Sequence, residues 1–166
     1  MFVSLEDRVR LAHQRGADVF ISLHADALAQ GVAHGARIFT LSDEASDAAS
    51  AALAERHDRL DILSGIDLNG ADDVVTDVLL DLARLETAPR ARALAKSVLA
   101  GIENATGDLY KLPLQQAAFS VLKAADIPSI LVEAGFLSTD QDLDNLVVRF
   151  GGQGLLPVYV TGWPLG

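Results

Sequence analysis

Three short runs, residues 18–23 (DVFISL), Ala36–Leu41 (ARIFTL) and residues 129–132 (SILV), are rich in β-branched and aromatic side chains and are separated by stretches with helical periodicity. That alternation predicts an α/β fold: a twisted, mostly parallel sheet flanked by helices on both faces. Between the strands, residues 4–16 read as a helix, with Ser4 as N-cap, Leu5, Val9, Leu11 and Ala12 as its apolar residues and Gly16 as its stop. A second helix is predicted over 89–104, where Leu94, Val98, Leu99 and Ile102 form one stripe.

The chain has 166 residues, half of them hydrophobic, and no cysteine. A chain of this length can build a single domain with its own core. The lack of cysteine excludes a thiol nucleophile, a disulfide framework and a Cys-based zinc site. A net charge of −10 and the lack of Lys/Arg clusters argue against a nucleic-acid groove. Charge interrupts every apolar run before the roughly 20 residues needed to span a bilayer, and the N-terminus has no basic and apolar regions of an export signal.

The acidity is local. From Leu41 to Thr87 there are twelve acids and three bases, so this segment holds most of the net charge. Its apolar residues recur at helical spacing on either side of Ser64-Gly65, which predicts an acidic helical insertion over 43–87 made of two helices and a turn. The last twenty residues, 147–166, hold five glycines, two prolines and no acid. They are expected to form an atypical tail that does not continue a helix beyond Phe150.

Two polar residues close otherwise apolar strands. His24 follows DVFISL, and Glu133 follows SILV. In open α/β sheets ligands gather outside the carboxyl ends of the strands, so both are candidate functional residues. Each also has a structural reading: a strand-closing histidine can simply be hydrogen-bonded, and a carboxylate among apolar neighbours must be paired, bind a metal or have a raised pKa.

These motifs resemble one family. ADVFISLHADA (17–27) and IPSILVEAGFLS (127–138), with ARIFTLSDEASD, AAFSVLKAADIPS and the opening FVSLEDRVRLA, are similar to the zinc-dependent N-acetylmuramoyl-L-alanine amidases, the cell-wall amidases that separate daughter cells. The similarity runs from about Phe2 to about Leu146. It implies a peptidoglycan hydrolase that cuts the amide between N-acetylmuramic acid and the first L-alanine of the stem peptide. It also implies a Zn2+ cofactor held by two His and one Glu, with an open position for water.

Residue by residue, the resemblance places a metal ligand on His24 and the catalytic acid/base on Glu133, with Asp26 as a group supporting the ligands. The family's first His ligand, in a Gly-His-Gly stretch, and its Glu ligand fall upstream of Met1, so the chain is expected to be an N-terminally incomplete amidase domain whose sheet lacks its first strand. Thr139 stands where the family usually has Asn. The acidic insertion resembles the helical segment that blocks the site in the cell-division subgroup until an activator protein displaces it. Glu55 or Asp58 is the expected plugging acid, with His57 between them as a substitute. The parent protein is expected to be periplasmic or extracellular.

Two other readings stand beside this one. The chain could be a catalytically silent module that binds cell-wall glycopeptide or an activator protein. A metal-free hydrolase built on Ser22, His24 and Asp26 is the weakest, because Ser22 lies within a strand and lacks the exposed turn that a nucleophilic serine needs.

Overall fold

A computed structural model describes residues 3, 5–27, 33–63, 74–124, 126–143 and 146. In chain order the elements are α1 (Leu5–Gln14), β1 (Phe20–Asp26), β2 (Ala36–Leu41), α2 (Ala48–Leu63), α3 (Val74–Thr106), β3 (Leu109–Ala117), a short 3-10 turn (Ser120–Leu122) and β4 (Ser129–Phe136). The four strands form one sheet in the order β1-β4-β2-β3. β1 runs parallel to β4 and β2 parallel to β3, while β2 and β4 are antiparallel. The α/β architecture is therefore the one that the alternation of strand and helix predicts. The tail at 147–166 and the turn at Ser64-Gly65 lie outside the described residues.

The alternation of side chains across a pleated sheet divides the core in two. Phe39 and Leu131 point to one face, where they pack with Ala117, Phe119, Val121, Leu122 and with Leu53 and Ala54 of α2. Ile38, Ile130 and Val132 point to the other, against Ala91 and Ala95 of α3, with Leu94, Val98, Leu99 and Ile102 of the predicted stripe packed around them. Burying one such side chain contributes about 1.5–3 kcal/mol, so each helix is held chiefly by its apolar face. α3 covers β2, β3 and β4. Ile21 and Leu23 of the edge strand β1 share that face by register but stay 42% and 45% exposed.

β1 and β4 each run on past the polar residue expected to close them, to Asp26 and Phe136, and two further elements differ from the sequence reading. The second insertion helix and the helix expected at 89–104 are one continuous α3, with Pro89 inside it. Proline supplies no N–H to the carbonyl four residues back, but that carbonyl belongs to Leu85, a residue 74% exposed and open to hydration. The expected end of the insertion at Thr87 thus falls within a helix. The other difference is β3, which the sequence reading leaves unassigned because LYKLPLQQA mixes polar residues with Pro113. It is an edge strand, where a proline is tolerated, and the register with β2 shifts between the Ala36–Leu109 and Ile38–Leu114 pairs to accommodate the extra residues.

One buried carboxylate ties the sheet together beside the strand ends that matter most. Asp142, 3% exposed, accepts hydrogen bonds from the Phe136 N–H (2.7 Å) and the Gly35 N–H (3.2 Å to each oxygen). It lies so close to Gly135 that a Cβ there would meet its Cβ and Cγ at 3.1 Å. Gly35 has φ +86°, and a Cβ on it would strike the Leu109 backbone at 2.5 Å, so glycine is required there. Asp142→Ala leaves two buried N–H groups unpaired and is expected to lower the unfolding free energy by ~2–4 kcal/mol, read from urea denaturation.

Candidate metal and acid/base centre

Register places the site. His24 on β1 is the lateral partner of Glu133 on β4, and Glu133 is the partner of Arg37 on β2. Three ionisable side chains therefore form a row across three strands, on the face that α2 covers. Just beyond His24 and Glu133 the β1–β4 register shifts, so that Asp26 pairs with Phe136. The extra residue is on β4, which advances from Glu133 to Phe136 while β1 advances from His24 to Asp26, and Asp26, two residues beyond His24, lies on the same face of β1.

Glu133 has no solvent exposure, and neither of its carboxylate oxygens has a hydrogen-bond partner. Burial pushes its pKa up to about 7, against the opposing pull of the Arg37 and Arg56 guanidiniums. One donor atom each from Asp26, His57 and Glu133 lies within 4.8 Å of the others. Nitrogen and carboxylate oxygen donors at such spacing suit a divalent cation, zinc among them. Glu133, with both oxygens unbonded, is placed to meet such an ion or a water bound to it.

His24 stands beside this trio. Its ring centroid is 4.4 Å from that of His57, and its Nε2 shares a 2.9 Å hydrogen bond with Ser22 Oγ. Burial lowers its pKa to about 3, helped by the neighbouring His57 and Arg8 charges, and lowers that of His57 to about 4, helped by Arg56 and Arg37. Both rings are therefore neutral near pH 7, the form that coordinates metal. Asp26, expected as a supporting group, is ion-paired to Arg56 of α2 and belongs to the trio itself. That pairing engages the acid that a Ser22–His24–Asp26 hydrolase would need.

α2 packs on this face of the sheet, and the side chain it brings to the trio is His57 rather than Glu55 or Asp58. Glu55 is exposed, and Asp58 accepts a hydrogen bond from the Ser120 N–H at 3.0 Å, outside the trio. Among the described residues, His57 is the side chain of α2 that joins Asp26 and Glu133. The helix is anchored at its start as well, where Asp47 accepts from the Ser50 N–H at 2.7 Å as an N-terminal cap. The other two histidines lie elsewhere: His13 is exposed on α1 against Asp126, and His34 sits in a loop against Asp108.

Sequence reasoning passed over Arg37 and gave His57 only a minor place. The signal for Arg37 was available, since a cation inside the apolar run ARIFTL demands an explanation. His57 carried no such signal, because what faces the site depends on how α2 is rotated on the sheet.

Fold and donor set together define a class: an α/β domain with a candidate divalent-metal and acid/base centre on one sheet face. Comparison with known proteins sharpens this. The family Amidase_3, N-acetylmuramoyl-L-alanine amidase, matches residues 1–151, and the chain belongs to that family. N-acetylmuramoyl-L-alanine amidase AmiA of Salmonella typhimurium is 38% identical over 142 residues, covering 85% of this chain and 49% of that protein. AmiC of Neisseria meningitidis is 37% identical over 139 residues, covering 83% and 33%. The chain thus spans half or less of these relatives. In fold it is similar to an N-acetylmuramoyl-L-alanine amidase from Clostridium difficile 630, with TM-score 0.54, 22% identity, and 89% of this chain and 56% of that one covered.

The buried groups set opposing pH dependences in the chelated, metal-free protein. The two histidines have depressed folded pKa values, so their contribution to stability is full above 6.5 and is lost as pH falls toward about 4 and about 3. Glu133 is raised to about 7, so its contribution is full below the ordinary 4.5 and is lost as pH rises through 7. Between these limits two histidine protons outweigh one carboxyl proton. Stability is expected to fall on acidification from pH 6.5 to 4.5 by ~1.4 kcal/mol per pH unit from these groups. His57→Gln should flatten that slope and Glu133→Gln should steepen it, measured by urea unfolding across the range.

Proposed function

We propose that this chain carries the acid/base carboxylate and part of the metal centre of a zinc-dependent N-acetylmuramoyl-L-alanine amidase. The substrate is peptidoglycan, and the scissile bond is the amide between N-acetylmuramic acid and the L-alanine of the stem peptide. The observation that carries this reading is Glu133: fully buried, both oxygens unbonded, and grouped with Asp26 and His57 on the sheet face that His24 shares. The family match over 1–151 supplies the reaction class.

His24 and Asp26 would hold the zinc from β1. Zinc supplies a Lewis acid that polarises the amide carbonyl and makes water a nucleophile near neutral pH. Glu133 accepts a proton from the attacking water and delivers it to the alanine nitrogen as the C–N bond breaks, general base and then general acid. Its raised pKa suits both halves of that task, because a carboxyl that titrates near the working pH can both take and return the proton.

α2 is the regulatory element in this reading. His57 occupies a donor position beside Glu133, and the Arg56–Asp26 ion pair and the Asp58 contact to Ser120 hold the helix down. An activator protein that withdraws α2 would free the site. Removing the whole segment would also remove Leu53 and Ala54 from the core, so point changes in the helix test the idea more cleanly than deletion. The workplace is the cell envelope, periplasmic or extracellular, where peptidoglycan is found. Among the described residues, no helix is long and apolar enough to cross a membrane.

In the zinc-loaded protein, Glu133→Gln is expected to cut hydrolysis of purified peptidoglycan by ~100–10,000-fold while zinc stoichiometry is unchanged. Zinc binding without cleavage by the unaltered protein would favour the silent binding module instead. Arg56→Ala, which cuts the ion pair to Asp26, is expected to raise basal hydrolysis; an unchanged rate would remove α2 as a plug.

A further inference from the structure

Arg37 is a buried cation that the chemistry above does not use. It is 5% exposed, projects from β2 opposite Glu133, and is surrounded by aromatic rings: its Cζ lies 4.9 Å from the Phe39 centroid, 5.0 Å from Tyr110 and 5.1 Å from Phe136. Its Nη1 donates to Gln115 Oε1 at 3.4 Å, and the Gln115 amide in turn donates to Asp47 Oδ2 at 2.8 Å. Aromatic faces attract a guanidinium and fix its plane. They do not cancel its charge.

We infer that Arg37 is a positioning residue for the proton transfer: its caged guanidinium balances the charge of the Glu133 carboxylate from the neighbouring strand without bonding to its oxygens. The inference rests on the reading of Glu133 as acid/base. A direct ion pair would engage the oxygen lone pairs that must receive a proton. Here the Glu133 oxygens are unbonded, and the rings and Gln115 fix the guanidinium. Charge compensation and an available base are thereby combined. The second cation near Glu133, Arg56, belongs to α2 and would leave with it, whereas Arg37 is part of the sheet and remains when the site opens.

The test uses Arg37→Met, which fills the aromatic cage without charge, and Arg37→Lys, which keeps the charge. In the zinc-loaded protein acting on purified peptidoglycan, Arg37→Met is expected to lower kcat by ~10–100-fold, with KM within about twofold and zinc stoichiometry unchanged, and Arg37→Lys to recover part of the loss. An unchanged kcat, or a rise in KM alone, overturns the proposal. A stability cycle on the chain itself needs no activity. Arg37→Met is expected to destabilise the native sequence and to cost clearly less in a Glu133→Gln background; an equal loss in both means that the guanidinium does not act on Glu133, and overturns it. Should Glu133→Gln keep full activity, the acid/base reading fails, while the stability cycle still decides whether the two charges are coupled.

Discussion

A carboxylate taken wholly out of water is the constraint around which this domain is arranged. Glu133 sits in the central region of the sheet with no solvent and no hydrogen bond at either oxygen. An isolated charge in such a place costs several kcal/mol, and three features of the fold answer that cost. Arg37 brings a positive charge from β2, Arg56 brings another from α2, and Asp26 and His57 add the donors that make a metal ion the natural further partner. The same cost raises the pKa of Glu133 toward neutrality and so fits the residue for proton transfer.

The scaffold keeps this arrangement from relaxing. Beside the bulge after Glu133, Gly135 lets Asp142 pack within 3.1 Å of where a Cβ would stand, and Asp142 is in turn bonded to the N–H groups of Phe136 and Gly35. A single buried side chain thus fixes the end of β4 that follows Glu133 and the start of β2 that carries Arg37. On the covered face, α2 is held by Leu53 and Ala54 in the core, by Asp47 at its start, and by Arg56 and Asp58 along its length. The polar contacts are reversible on a surface. The apolar ones make its removal cost energy.

Membership of the amidase family and the internal geometry of the site point the same way but do different work. The match over 1–151 gives the family. The geometry shows what the chain gathers on one sheet face: the buried Glu133, His24 and Asp26 from β1, His57 from α2, and Arg37 from the neighbouring strand.

The sequence by itself determined the layered α/β fold, the β2 run ARIFTL, the strand SILV, the stripe from Leu94 to Ile102, and the candidacy of His24 and Glu133. Each of these is local: hydrophobic periodicity names an element, and a polar group at the end of an apolar run is visible without knowing its neighbours. Only the tertiary structure decided that His57 and not Glu55 or Asp58 meets Glu133, since a helix presents successive residues about 100° apart and its rotation is set by which apolar side chains it buries. Packing likewise joined α3 through Pro89, and sheet pairing made a strand of LYKLPLQQA. Strand register put Arg37 beside Glu133 from nearly a hundred residues away in the chain. That proximity is a matter of hydrogen-bonded pairing between strands, which no local pattern encodes.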